Sequence, residues 1–202
     1  MSKIFEGLDG EPRCDWCAAT PDYMAYHDNE WGFPVDDDQR LFEKICLEGF
    51  QSGLSWRTIL AKRENFRKAF KKFDFNKVAQ FTEKDMERLL QDSGIIRHRG
   101  KIEATVNNAQ RAKEMVKVEG SLAAYFWSYE PNPKTRDVSM VVSTSPESVA
   151  ISKDLKSRGW KFVGPTTVYA LMQAMGLVND HAEGCVTRAK VIKMRNAFTK
   201  PT

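Results

Sequence analysis

Two short segments far apart in the chain carry Cys14 with His27 and His181 with Cys185, out of three histidines and four cysteines in the whole sequence. Thiolate and imidazole in a two-plus-two set suit a tetrahedral Zn2+ ion. With all four positions filled by protein there is no place for a reactive water, so such an ion would be structural. It would clip residues 13–31 to residues 178–186. Spacing alone leaves the alternative open, namely scattered buried cysteines and surface histidines.

Glu48 is the acid best placed for chemistry. It follows Ile45 by three residues and Leu41 by seven, so a helix puts it on their apolar side. A carboxylate there is paired, hydrogen-bonded or set in a pocket. Tyr23 and Tyr26 share a helix face, and Trp31 follows close behind. The segment Gly49-Phe-Gln-Ser-Gly-Leu-Ser-Trp56, with two glycines, turns sharply and presents Leu54 and Trp56 near Glu48. Aromatic walls above a carboxylate floor suit a flat, electron-poor or cationic ligand. A structural acid among ordinary core aromatics has the same spacing, and both readings stay open.

A third place is Leu90-Gln-Asp-Ser-Gly94-Ile-Ile-Arg-His-Arg-Gly100-Lys101. A helix ends at a glycine, Ile95 and Ile96 turn the chain onto the core, and a basic helix begins. This is the layout of a helix-hairpin-helix over about 82–118, whose turn and second helix start aim backbone N–H groups at a phosphate. Arg97, Arg99 and Lys101 add positive charge beside Gly94 and Gly100. A plain corner between two helices shares part of this layout.

These groups need a helical frame, and the pattern supplies one. The chain of 202 residues, 42% hydrophobic with net charge +4, suffices for one compact unit and permits a polyanionic partner. It has no apolar run of membrane length and no apolar signal core, so a cytosolic protein with reduced or metal-bound cysteines is expected. Asp36, Asp37 and Asp38 open a helix running to about Gln51. Ser55 caps a second carrying Trp56, Ile59, Leu60, Phe66 and Phe70. Thr82 and Asp85 form a capping box. Further helices are expected from about Arg99, over 121–129, from Pro146 and from Pro165. Pro131 to Thr144 reads as a loop, with an extended piece at Val138 to Val142. The last dozen residues, polar and basic, read as a mobile tail. The fold class is all-α.

Taken together, the sequence resembles the 3-methyladenine DNA glycosylase I family of helix-hairpin-helix base-excision repair enzymes. The resemblance rests on Tyr26-His-Asp-Asn-Glu-Trp-Gly32, Leu47-Glu-Gly49, Gly53-Leu-Ser-Trp56, Gly94-Ile-Ile-Arg-His-Arg-Gly-Lys101, Phe126-Trp-Ser128, Phe162-Val-Gly164 and Gly176-Leu-Val-Asn-Asp-His181, and spans about Arg13 to Cys185. It implies one structural zinc at Cys14, His27, His181 and Cys185, with Cys14 preferred over Cys17 because its spacing to His27 fits the family. It implies a base pocket of Glu48, Tyr23, Tyr26, Trp31 and Trp56. The expected activity is monofunctional removal of N3-methyladenine from alkylated double-stranded DNA by a monomer in the bacterial cytoplasm. No Asp lies between Lys101 and Asp137, in keeping with a family that lacks the catalytic Asp many helix-hairpin-helix glycosylases carry after the hairpin. N3-methyladenine is cationic in DNA and leaves without protonation, so stacking and charge balance in the pocket are the work expected of the protein. Leu54 is the candidate wedge for the gap in the base stack, or else a buried turn anchor. Two rival readings are a zinc-stapled DNA-binding module without chemistry, and a glycosylase–lyase with Lys101 as Schiff-base amine.

Overall fold

A computed structural model of the chain describes residues 3–132 and 142–202. Its elements follow from local signals. Thr20 and Pro21 start α1, Pro21–Asn29. The Asp37 carboxylate accepts from the Arg40 amide and starts α2, Asp38–Gln51. Ser55 caps α3, Trp56–Ala61, by accepting from the Thr58 amide. The chain then kinks at Lys62 before α4, Arg63–Ala69, so the single helix expected there is two. A short α5, Phe75–Val78, is capped by Asp74. The Thr82–Asp85 capping box opens α6, Glu83–Gln91.

After a turn over 92–98 comes α7, Arg99–Glu119, the longest helix. Ser121 caps α8, Leu122–Ser128. Proline at the first turn starts both α9, Pro146–Ser157, and α10, Pro165–Ala174. The apolar face of α2 packs on α3, α7, α8 and α10, and α9 covers α10. Leu41, Phe42, Ile45, Leu47 and Phe50 of α2 are all buried in the resulting core. No described helix is long and apolar enough to cross a membrane. The extended piece expected near Val138 lies outside the described residues.

Two features depart from the all-α expectation and from the mobile tail. β1, Ile4–Glu6, pairs antiparallel with β2, Pro12–Cys14. The turn between them contains Asp9-Gly10, a hairpin signal, and Gly10 takes the φ of 78° that such a turn requires. Arg13, buried, ties the hairpin together through Asp9 at 2.7 Å and ties it to α1 through Asp28 at 2.9 Å. At the other end the chain forms α11, Val186–Ala197, instead of a tail. Its Val191 is buried, Arg195 pairs with Glu130 at 2.6 Å, and the Phe198 ring lies 4.5 Å from that of Trp127. These anchors are long-range contacts, which a polar local sequence does not reveal. Among the described residues the fold is therefore mostly helical with one small hairpin.

Candidate active site

α1 and α2 lie so that Tyr26 faces the buried side of α2, where Glu48 is 6% exposed. Glu48 is paired. Lys44, one turn earlier and 5% exposed, places its Nζ 2.8 Å from Glu48 Oε1. The same ammonium donates to Tyr26 Oη at 2.8 Å and sits over the Trp56 ring, 3.2 Å from its centroid. Burial pushes the Lys44 amine below its usual range and Tyr26 well above the usual phenol range. The Tyr26 and Trp56 rings are 5.5 Å apart at 43°. Arg63, held by Glu30 at 2.6 Å, lies 6.0 Å from the Tyr26 ring and closes one side. Trp56 Nε1 is buried without a hydrogen-bond partner among the described residues.

Lys44 is absent from the sequence reading, although a signal for it exists. Leu41, Lys44, Ile45 and Glu48 have the i, i+3, i+4, i+7 spacing of one helix face.

Trp16 is the second residue that the sequence reading passed over. It stands in Cys14-Asp-Trp-Cys17, on a 3-10 turn over Asp15–Ala19. Its ring contacts Tyr23 at 4.9 Å, Trp31 at 5.0 Å, His27 at 5.2 Å and Tyr26 at 6.5 Å. Tyr23 therefore meets Tyr26 and its neighbours by way of Trp16. Trp31 belongs more to the cysteine–histidine side, where its ring stacks on His27 and meets His181 edge-on at 4.7 Å.

On that side the Sγ atoms of Cys14 and Cys185 and a ring nitrogen of His27 lie within 4.8 Å of one another, all buried. Each histidine is oriented from behind. His27 Nδ1 bonds Asp28 at 2.7 Å, which turns Nε2 toward Cys185 Sγ at 3.5 Å. His181 Nδ1 bonds Asn179 at 2.9 Å, and its Nε2 is buried with no partner among the described residues. The two imidazoles are 4.9 Å apart. Gly32, at φ 86°, makes room for His181, since a Cβ there would lie 2.7 Å from the ring. Cys17 donates its thiol to the Cys14 carbonyl at 3.1 Å.

The proton balance in this cluster is marked. A hydrogen bond from Cys14 holds Cys185 below the usual thiol range, and the same contact with burial pushes Cys14 up. Burial opposes charge on His27, yet Cys17, Cys185 and Asp28 together raise it to about 10. Burial and the His27 charge push His181 down to about 4. Outward-bonded imidazoles and two converging sulfurs are the arrangement that ligand-bearing histidines and cysteines take.

The turn over 92–98 buries Ile95, half-buries Ile96 and exposes Arg97. Lys62 and Asn65 hold it from below through the Ser93 and Gly94 carbonyls at 3.0 and 3.3 Å. A Cβ on Gly94 would meet Asp92 at 2.9 Å and Asn65 at 3.1 Å, so this turn has little room for a side chain there. His98 caps α7 and Gly100 lies in its first turn. Arg99 is exposed and bonded to Glu83 at 2.6 Å. Lys101 differs from expectation. It is 7% exposed and donates to the Phe50 carbonyl at 2.9 Å and the Ser52 carbonyl at 2.6 Å. It thus caps the C-terminal end of α2 and is not presented to a phosphate. Leu54, at 43% exposure, stands out on the turn after α2.

Residues 16–189 match the methyladenine glycosylase family. The chain belongs to that family. Among its relatives, DNA-3-methyladenine glycosylase 1 of Escherichia coli (strain K12) is 51% identical over 177 residues, which cover 86% of this chain and 95% of that protein. A crystal structure of a 3-methyladenine DNA glycosylase I matches with TM-score 0.81 and 52% identity, covering 86% of this chain and 98% of that one. A structure of the Staphylococcus aureus 3-methyladenine DNA glycosylase I, described for 3-methyladenine recognition, matches with TM-score 0.81 and 38% identity, covering 87% and 96%. The residues matched to the methyladenine glycosylase family leave out β1, β2 and most of α11.

Proposed function

We propose that this chain is a monofunctional DNA-3-methyladenine glycosylase, which extrudes N3-methyladenine from alkylated double-stranded DNA and hydrolyses its N-glycosidic bond. The observation that carries the reading is the buried carboxylate of Glu48, set with Tyr26 and Trp56 in a chain of the methyladenine glycosylase family. The base arrives cationic. When its bond to C1′ breaks, the bonding pair neutralises the base, and water adds to C1′ and gives up a proton. No protonation of the leaving group is needed. What the pocket supplies is stacking from Tyr26 and Trp56, with Trp16, Tyr23 and Trp31 behind, and a negative charge at Glu48 that favours positive charge on base and sugar.

DNA binding is assigned to a helix-hairpin-helix formed by α6, the turn over 92–98 and α7, within about 82–118. Backbone amides from Gly94 to Gly100, anchored by Ile95 and Ile96, receive a phosphate, and Arg97 and Arg99 add charge. Leu54 is the wedge that fills the vacated stack, in keeping with its exposure. A Schiff-base role for Lys101 is disfavoured by its two carbonyl partners.

Cys14, His27, His181 and Cys185 are assigned to one zinc ion, supported by the unpartnered His181 Nε2 and the converging sulfurs. Bound there, the ion would supply structure, displacing thiol and imidazolium protons and closing residues 13–31 onto 178–186. The chain is read as one catalytic unit over 1–202, acting as a monomer in the bacterial cytoplasm, where its DNA lies.

The test is release of free base from methylated duplex by the purified chain. Release of N3-methyladenine, with no DNA–protein adduct trapped by borohydride, is expected. Duplex binding without base release would leave only a DNA-binding module, and a trapped adduct would make the enzyme a lyase.

A further inference from the structure

We propose that Lys44 is a specificity-determining residue of the base pocket, an internal cation seated where the charge of the extruded base must go. The proposal rests on the reading of this pocket as the site of the methylated base. Lys44 Nζ touches Glu48 Oε1 and Tyr26 Oη, each at 2.8 Å, and lies 3.2 Å from the centre of the Trp56 ring. A carboxylate, a hydroxyl and an aromatic face are also what a flat cationic base would seek. The ammonium is buried, so it is part of the pocket and not a surface charge passing over it.

The base cannot avoid it by entering between the rings. Tyr26 and Trp56 are 5.5 Å apart, whereas a base between them needs two stacking distances of about 3.4 Å each. A base that reaches Glu48 and Trp56 therefore meets the ammonium that already contacts both. Nor does another residue replace Lys44 at Glu48, because the nearby Arg63 is committed to Glu30. Glu48 and Lys44 together leave the floor of the pocket close to electrically neutral. A cationic base gains from Glu48 only what it takes from Lys44. The pocket then distinguishes charged from neutral purines less sharply than the carboxylate alone would. The unpartnered Trp56 Nε1 adds a donor suited to a ring nitrogen of the base.

Lys44→Met keeps the volume and removes the charge. Two quantities are read in parent and variant: single-turnover excision of N3-methyladenine from duplex, and affinity for free adenine, which is neutral. Excision is expected to rise about tenfold, with adenine affinity shifting less than about threefold. A fall in excision, no change, or equal gains in both overturn the proposal. A second measurement uses the parent alone and stands even if Lys44→Met fails to fold. Reductive methylation at Lys44, read by peptide mass spectrometry, is compared with and without saturating free 3-methyladenine. Displacement of the ammonium makes labelling faster with the base present, and unchanged or slower labelling overturns the proposal. A parent that releases no N3-methyladenine defeats the reading of the pocket itself, whereas a parent that releases it beside an unaltered variant defeats only the role of Lys44.

Discussion

Two buried polar clusters sit a few side chains apart and have opposite characters. Around Glu48 the charges answer one another, with Lys44 bonding the carboxylate and Tyr26 and covering Trp56. Among Cys14, His27, His181 and Cys185 one nitrogen is left over, and the second nitrogen of each imidazole is held from outside by Asp28 or Asn179. A cluster whose charges are already paired makes its ligand compete, and a set of converging ligand atoms left open requires a ligand to be complete. The first suits a transient guest, and the second suits a permanent ion. Trp16 is the wall they share.

The comparison breaks most visibly if the permanent site proves dispensable. Cys185→Ser, or chelation of the zinc proposed there, is expected to lower folding stability by about 4 kcal/mol, while the excision rate per folded molecule stays within a few-fold. Chemical denaturation with metal analysis checks this. Native stability with no excision would transfer the catalytic role to that cluster.

At the transient site, Glu48→Gln is expected to reduce single-turnover release of N3-methyladenine by about a hundredfold. It also leaves the Lys44 charge buried and unpaired, so the melting temperature falls. Adding Lys44→Met to Glu48→Gln is expected to restore much of the stability and to raise excision about tenfold, still well short of the parent rate. Full recovery of both together would mean that Glu48 serves only to neutralise Lys44.

Smaller effects are expected on the DNA side. Leu54→Gly is expected to slow excision from duplex by about tenfold and from single strands by much less, since the unstacking that a wedge offsets is needed only in duplex. Equal losses on both would make Leu54 a turn anchor. Arg97→Glu is expected to weaken binding to any duplex by a few-fold and reduce the salt slope by roughly one counterion. A sequence-dependent loss would instead indicate base contact.

The helices were legible because their signals are local. Asp37, Ser55, the Thr82–Asp85 box and Pro165 each act within one turn. The candidate pocket was half legible. Glu48 stands out as an acid on an apolar stripe, while Lys44, on the same stripe, went unread. A long amine is common on surfaces, and only the tertiary meeting of α1 with α2 and α3 gives it two oxygens and an indole. Lys101 misled in the opposite way, because its neighbours Arg97 and Arg99 are exposed and its own partners lie some fifty residues earlier in sequence. β1 needed its Asp9-Gly10 turn to be read as such, and α11 needed Trp127 and Glu130, which no local pattern points to.

The closure between Cys14 and Cys185 also bears on the order in which the molecule forms. Ala182 donates its amide to Cys14 Sγ across 168 residues of chain, far beyond the reach of any helix. Closing so long a loop is entropically unfavourable and slow, and it is helped only once the intervening helices have condensed and shortened the path. The helical core, with Trp16 packed locally against α1, can therefore assemble while Cys14 still waits for its distant partner. The wall shared by the two clusters then stands before the closure between Cys14 and Cys185 is made. During synthesis, a chain that has not yet emerged as far as Cys185 can hold Glu48 beside Lys44 and still lack a finished site.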